Sequence, residues 1–158
     1  MVGSQKGRPR SVLGRFCDNP FLHRAFTTAE EISRLQALLD ARLKELDLPE
    51  TDRKVLKYIG LATLGDHRLQ ASISIREFAR GRFDRWKEVD GCVTRHHERR
   101  LDHGCGVKNF GSISRALGRL VAAGLVGHVP SRGGTNKARW TPWPVEELEQ
   151  LVESVNAS

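Results

Sequence analysis

The chain has 158 residues, of which 39% are hydrophobic and 28% charged, and its formal net charge at pH 7 is +7. This composition is typical of one soluble globular domain with extensions and a modest core. The sequence lacks a membrane span and the apolar run of a signal peptide, and its three cysteines argue by their odd number against a secreted disulfide framework, so we expect a protein of the reducing cytoplasm.

The charges are segregated along the chain. Residues 1–28 carry five Lys and Arg against one Asp, and residues 112–140 carry five against no acid. Residues 29–50 instead hold six acids against three bases, and residues 144–158 hold four Glu and no base. The two basic segments therefore predict contact with a polyanion, and the acidic segments should face away from it.

Residues 1–27 are predicted to form a flexible basic arm, because they are rich in Gly, Ser, Pro, Lys and Arg. Within the arm, Lys6-Gly7-Arg8-Pro9-Arg10 is similar to the core of an AT-hook, an extended segment that places arginine in the narrow minor groove of A·T-rich DNA. Arg8 and Arg10 are then candidate groove contacts. The alternative is an unstructured basic tail.

Residues 28–48 are predicted to form an amphipathic helix that begins at a Thr27 or Thr28 cap. Its apolar residues recur at helical spacing and form one stripe: Ile32, Leu35, Leu39, Leu43 and Leu46. This stripe packs either on the domain core or against a second copy of the chain.

A second helix and a strand follow Pro49. Asp52 is expected to cap a helix that ends at Gly65-Asp66 and buries Val55, Leu56, Ile59, Leu61, Ala62 and Leu64. Leu69–Ile73 alternates as a short strand. Ser74 is then expected to cap a short helix, Ile75–Ala79, in a capping box with Glu77.

Residues 81–105 are net basic and are expected to form a solvated helix and loop that docks through Phe83 and Trp86 and extends the phosphate-binding surface. The same stretch concentrates possible zinc ligands, namely Cys92, His96, His97, His103 and Cys105. Their spacing is irregular compared with that of structural zinc sites, so we expect no metal here and keep zinc as the alternative.

The most informative stretch, residues 106–126, predicts a one-faced helix that ends at Gly124. Its predicted buried stripe is Ile113, Ala116, Leu117, Leu120 and Val121, and its outward residues are Ser112, Ser114, Arg115, Gly118 and Arg119. Leu125–Val129 and Lys137–Trp140 then predict two strands around a Gly-Gly turn, and this hairpin carries Arg132, Lys137 and Arg139.

The pattern Ile-Ser-Arg-Ala-Leu-x-Arg-Leu-x-x-x-Gly-Leu-Val at residues 113–126, followed by the basic hairpin, resembles the winged helix-turn-helix DNA-binding domains. The similarity is greatest to MarR-like regulators and to the N-terminal domains of phage and plasmid replication proteins, and it covers residues 51–140. It implies a mainly α fold with a small β-wing (α+β), flanked by N- and C-terminal helices. Residues 81–105 become an insert, because the family joins the two helices of the motif by only a few residues. The alternative is that the 106–126 helix and the two strands after it only pack together and bind no DNA.

Residues 144–156 are predicted to form a C-terminal amphipathic helix with Leu148, Leu151, Val152 and Val155 on one side. In MarR-like proteins the terminal helices form a two-fold dimer, so the resemblance implies a homodimer through these helices. The similar replication proteins can act as monomers.

From this resemblance we expect a nucleoid-associated protein that binds double-stranded DNA sequence-specifically, as a transcriptional regulator or a plasmid or phage replication or partition factor. The major groove would receive the outward face of the 106–126 helix, and the wing would lie on phosphates. The candidate DNA-binding residues are Arg8, Arg10, Lys108, Asn109, Ser112, Ser114, Arg115, Arg119, Arg132, Lys137 and Arg139.

Two other functions remain open at this point: an architectural DNA binder with little base preference, and a winged-helix module that binds proteins. An enzyme and a cofactor are not expected, because the sequence contains no phosphate-cradling Gly-rich loop, nucleophile elbow or zinc-protease helix.

Overall fold

The computed structural model describes residues 28–129 and 138–157, and within them the fold is α+β. The α-helices and strands in chain order are α1 (Ala29–Glu45), α2 (Glu50–Thr63), β1 (Ala71–Ile73), α3 (Ile75–Arg80), β2 (Phe83–Asp90), β3 (Val93–Arg100), α4 (Phe110–Ala122), β4 (Gly127–Val129), β5 (Ala138–Thr141) and α5 (Val145–Ala157), and a short 3₁₀ helix, Leu64–Asp66, follows α2. The predicted arm with Arg8 and Arg10, and the predicted wing residues Arg132 and Lys137, lie outside the described residues.

The first helix, α1, packs into the core of the same chain. The hydroxyl of Thr28 accepts a hydrogen bond from the backbone N–H of Glu31 at 3.1 Å, which caps the helix. The apolar stripe is buried against α2 and α5, through Ile32, Leu35, Leu39 and Leu43. Of the two interpretations of this stripe, the structure therefore favours the core over pairing with a second copy.

Two details predicted for α2 are wrong. The helix begins at Glu50, directly after Pro49, so Asp52 lies inside its first turn and is not the cap. Leu61 was predicted to be buried but is 50% exposed, whereas Tyr58 is buried. Burial of Tyr58 is tolerated because its hydroxyl donates a hydrogen bond to Asp102 Oδ1 at 2.7 Å.

The capping box predicted at Ser74 is confirmed. Ser74 Oγ accepts a hydrogen bond from the backbone N–H of Glu77 at 3.1 Å, and Glu77 Oε1 accepts one from the backbone N–H of Ser74 at 3.0 Å. The short helix α3 that follows buries Phe78 between Tyr58 and Trp140, with ring centroids 5.5 and 6.1 Å apart.

Residues 83–100 form a β-hairpin, so the expected helix and loop is wrong. β2 and β3 pair antiparallel without interruption from Phe83 opposite Arg100 to Asp90 opposite Val93. Gly91 and Cys92 form the loop, and Gly91 has a φ of +62°, as the first loop position of a type II′ turn requires. Charged residues occupy both faces of the hairpin, so the strands show no apolar alternation. Gly91, as the first of two loop residues, was the signal that could have indicated this turn.

The helix α4 lies on α2 and α3. Its stripe is buried as predicted at Ile113, Ala116, Leu117 and Leu120. Val121 was predicted to belong to this stripe but is 41% exposed, because it lies at the open margin between α4 and the sheet. Gly124, with a φ of +70°, follows the helix at the position where a left-handed residue is needed.

Three short strands form an antiparallel sheet in the order β1–β5–β4. Ala71 lies opposite Trp140, and Gly127 lies opposite Thr141. The two strands predicted between residues 125 and 140 therefore pair with each other, and β5 also pairs with β1.

The last helix, α5, packs against α1 and buries Leu148, Val152 and Val155. The connector before it buries Trp143, and the guanidinium of Arg42 in α1 lies 5.5 Å from the Trp143 ring centroid. Both terminal helices thus use their apolar stripes within one chain. Within residues 28–129 and 138–157, no helix is both long and apolar enough to cross a membrane.

The start of the β2–β3 hairpin requires glycine at residue 81. Gly81 has a φ of +99°, and a Cβ there would lie 2.0 Å from the carbonyl oxygen of Asp102. We expect Gly81→Ala to lower the free energy of unfolding by roughly 3 kcal/mol or more, measured by chemical denaturation, since backbone must move. Gly91→Ala is the control, because Gly91 has a φ of +62° but nothing within 4 Å of the added Cβ, and it should cost only about 1–2 kcal/mol. Equal costs would contradict the steric argument.

Candidate nucleic-acid interface

The N-terminus of α4 is capped by one of the predicted DNA-binding residues. Asn109 Oδ1 accepts a hydrogen bond from the backbone N–H of Ser112 at 2.9 Å, so the Asn109 side chain is already used to start the helix. Lys108, directly before it, is exposed, and Ser112 is half-buried. Of these three residues, Lys108 is the one with an exposed charge to offer a ligand.

The outward face of α4 is cationic and sterically open. Ser114 and Arg115 are both exposed, and Arg115 Nη2 lies 3.4 Å from the hydroxyl of Ser112, to which it donates. A Cβ at Gly118 would meet nothing within 4 Å. A ligand that lies along α4 can therefore approach the helix backbone closely at this glycine and meet Arg115 one turn earlier.

Arg119 has a partner inside the protein. Its Nε donates to Asp52 Oδ1 and Oδ2 at 3.2 and 3.0 Å, and its Nη2 donates to Asp52 Oδ1 at 2.6 Å. Asp52 is only 3% exposed, and these hydrogen bonds raise the pKa of Arg119. The pair joins α4 to α2. The sequence pattern did not indicate this pair, because the two residues are 67 positions apart along the chain.

Arg139 lies on the opposite side of the sheet from α4. It sits in β5 between Ala138 and Trp140, which both face α4, and side chains alternate along a strand. Ser114 and Arg115 are thus exposed neighbours on α4, and the exposed Lys108 directly precedes the cap of this helix, whereas Arg139 points away from α4.

A groove that no sequence pattern indicated separates α4 from the sheet. Its volume is about 510 Å³, and its lining is mostly apolar, with Leu117 and Val121 from α4 and Ile73 from β1. Ser114 and Gly118 also line this groove, so the exposed face of α4 continues into it. His128 stacks on Trp140 in this groove with ring centroids 4.2 Å apart, and partial desolvation of the ring lowers the pKa of His128. A lowered pKa keeps His128 neutral at pH 7.

The possible zinc ligands of residues 81–105 are separated by the hairpin. Cys92 is at its exposed tip, whereas Cys105 is buried near α3. His96 and His97 are adjacent in β3 and so point to opposite faces. Across the described ranges, no three His, Cys, Asp or Glu side chains are grouped so that they could hold a metal ion.

The base of the hairpin is closed by the carboxylate of Asp102. Oδ1 accepts hydrogen bonds from the hydroxyl of Tyr58 at 2.7 Å and from the backbone N–H groups of Arg82 and Gly104 at 3.2 and 3.0 Å. Oδ2 accepts one from Arg82 Nε at 2.8 Å. Burial disfavours the charged carboxylate, but the hydrogen bonds from Tyr58 and Arg82 outweigh burial and hold the pKa of Asp102 below its usual range.

No family model, curated protein or solved structure compared with the chain matches it.

The Arg119 and Asp52 pair generates a stability prediction. Arg119→Ala should lower the melting temperature, because it leaves a buried carboxylate without its partner. Asp52→Asn in the same chain should recover part of this loss, so the double variant is less destabilised than the sum of the two single variants. Arg115→Ala, an exposed arginine of the same helix, is the control and should change the free energy of unfolding by no more than about 0.5 kcal/mol. Strict additivity would show that the pair does not act together.

The lowered pKa of Asp102 predicts a pH dependence. A carboxyl group whose pKa is lower in the folded state stabilises the fold above its unfolded pKa of about 3.9, and this stability is lost as the pH falls through the folded pKa. We expect Asp102→Asn to reduce the free energy of unfolding at pH 6, and the difference from the unmodified chain to shrink as the pH falls below about 4. Chemical denaturation at several pH values measures the difference in free energy of unfolding between the variant and the unmodified chain. A difference that does not change with pH would contradict the prediction. Asp90→Asn at the exposed hairpin tip is the control and should change the free energy of unfolding little at any pH.

Proposed function

We propose that the protein binds double-stranded DNA sequence-specifically through a winged helix-turn-helix unit in which α4 enters the major groove. The order of elements supports this proposal, since a helix-strand-helix-helix unit is followed by two paired strands, with the β2–β3 hairpin inserted between α3 and α4. The sheet order β1–β5–β4 supports it further, because the last two strands then form the root of a wing beside α4.

The observation that carries the proposal is the open, acid-free, cationic face of α4. Ser114, Arg115 and Gly118 lie on this exposed face, and residues 108–144 contain no Asp or Glu at all. DNA carries one negative charge per about 1.7 Å of its axis, so a carboxylate on this surface would repel it. An arginine on an unobstructed helix face is also suited to the acceptor pair that guanine presents in the major groove.

The candidate residues divide into contacting and positioning groups under this proposal. Arg115 and Ser114 contact base edges, and Lys108 contacts a phosphate beside the N-terminus of α4. Asn109 and Arg119 act indirectly, since one caps α4 and the other fixes α4 to α2 by its hydrogen bonds to Asp52. Five further candidate contacts rest on the sequence alone, as contacts to phosphates or to the minor groove: Arg8, Arg10, Arg132, Lys137 and Arg139.

One copy of the chain presents the face of α4 to one site. The homodimer was implied by the resemblance alone, and the apolar stripes of α1 and α5 are buried within the chain. The DNA sites that the protein selects will show how many copies bind each site. They also test the expected nucleoid location and the expected role in regulation or replication.

The test uses Arg115→Ala on a duplex that the unmodified protein has selected from genomic fragments. We expect this variant to lose roughly 1–3 kcal/mol of binding free energy on the selected site and to discriminate less against altered sites. Lys44→Ala is the matched control, because Lys44 is exposed in the acidic segment of α1 and its loss removes the same charge. Affinity is measured at several salt concentrations.

Two results would contradict this proposal. Equal loss by Arg115→Ala on every sequence would exclude base contact and indicate an architectural DNA binder. Binding that is absent, or insensitive to salt, would exclude DNA as the ligand.

A further inference from the structure

We propose that the β2–β3 hairpin is a second DNA-binding element, and that only one of its two faces lies along the phosphate backbone beside the site contacted by α4. This inference rests on the proposed function, because it takes double-stranded DNA as the ligand of α4.

The hairpin has two chemically different faces. Side chains alternate along each strand, and residues directly opposite each other share a face. The cationic face consists of Phe83, Arg85, Lys87, Val89, Thr94, His96, Glu98 and Arg100. The ion-paired face consists of Asp84, Trp86, Glu88, Asp90, Val93, Arg95, His97 and Arg99.

The charges distinguish these faces. The cationic face carries three Lys and Arg against one carboxylate, whereas the ion-paired face carries two Arg against three carboxylates. On the ion-paired face, Arg99 Nη2 lies 3.2 Å from Asp84 Oδ2, and His97 Nε2 lies 3.1 Å from Glu88 Oε1. An excess of carboxylates repels phosphate, so the cationic face is the one complementary to DNA.

Contacts within the protein hold the two arginines of the cationic face in place, and Arg100 Nη1 also donates to the carbonyl oxygen of Arg80 at 2.6 Å. Arg100 and Arg85 both lie over the ring of Phe83, at 4.5 and 5.7 Å from its centroid. Arg85 Nε donates to Glu98 Oε2 at 2.6 Å, and Lys87 lies next along the same face. Guanidinium groups held in this way lose less conformational entropy when they bind phosphate.

The position of the hairpin in the fold favours contact with the backbone of the same duplex. It is inserted between α3 and α4, and its ends meet at Asp102, shortly before α4 begins at Phe110. When the second helix of a helix-turn-helix unit lies in the major groove, the first crosses the phosphate backbone. An element that leaves from their connection therefore starts near phosphates. Eight residues per strand at about 3.4 Å each extend it about 27 Å, the length of about eight base pairs.

The experiment compares two double variants that each remove two positive charges from the hairpin. Arg85→Ala with Lys87→Ala alters the cationic face, and Arg95→Ala with Arg99→Ala alters the ion-paired face. The pairs are matched, since each contains one arginine in an ion pair, to Glu98 or Asp84, and all four side chains are exposed. Affinity for the selected duplex is measured between about 0.05 and 0.2 M salt, and melting temperatures confirm that both variants fold.

We expect the cationic-face variant to bind about 30-fold more weakly than the unmodified protein at about 0.15 M salt. The slope of log affinity against log salt concentration should become less steep by about two, since each lost phosphate contact removes roughly 0.9 from it. Its preference for the selected site over altered sites should persist. The ion-paired-face variant should change affinity by less than about threefold.

Equal effects of the two variants would overturn the inference, because the hairpin would then act only through its total charge. Salt-dependent binding that Arg115→Ala weakens but neither hairpin variant changes would overturn the inference alone and leave the proposed function standing. A larger effect of the ion-paired-face variant would point to the face that holds Trp86 and would also overturn it. If the unmodified chain shows no salt-dependent DNA binding, both proposals fail.

Discussion

The carboxylate of Asp102 is the constraint on which the arrangement of helices depends. The β2–β3 hairpin interrupts the connection between α3 and α4, and an insertion of this size would separate the two helices unless its ends were held together. Hydrogen bonds from Tyr58, Arg82 and Gly104 converge on Asp102 and bring the start and the end of the hairpin to one point. As a result α3 and α4 pack on each other, and the hairpin is added to the surface without changing the core.

The basic residues of the domain serve two different purposes once the core is in place. Arg119 and Arg82 hold elements together, the first through Asp52 and the second through Asp102. Arg115 and Lys87 extend into solvent from surfaces where cations predominate. Net charge therefore overstates the surface available to a polyanion, and the contacts of each guanidinium decide which cations are free to bind one.

The sequence predicted the helices well because their buried faces are strongly periodic, as in α4, and because local chemistry fixes their starts, as in the capping box of Ser74 and Glu77. It failed at the hairpin, where Asp84 and Arg99 or Arg85 and Glu98 replace apolar residues on both faces, so that strand alternation was invisible. For the interface, the sequence indicated the outward residues Ser114 and Arg115. It could not reveal that Arg119 bonds to Asp52, since those residues lie far apart along the chain.

The closed base of the hairpin also separates its length from the rest of the fold. Because both ends meet at Asp102, strand residues can be added or removed in opposite pairs without moving the helices, and the core places no limit on their number. Each added pair would shift the tip outward by about 3.4 Å. Two pairs rather than one would also keep every later side chain on its own face. The span of the hairpin is thus a property that evolution or design can adjust without moving the helices, in steps set by the geometry of the β-strand.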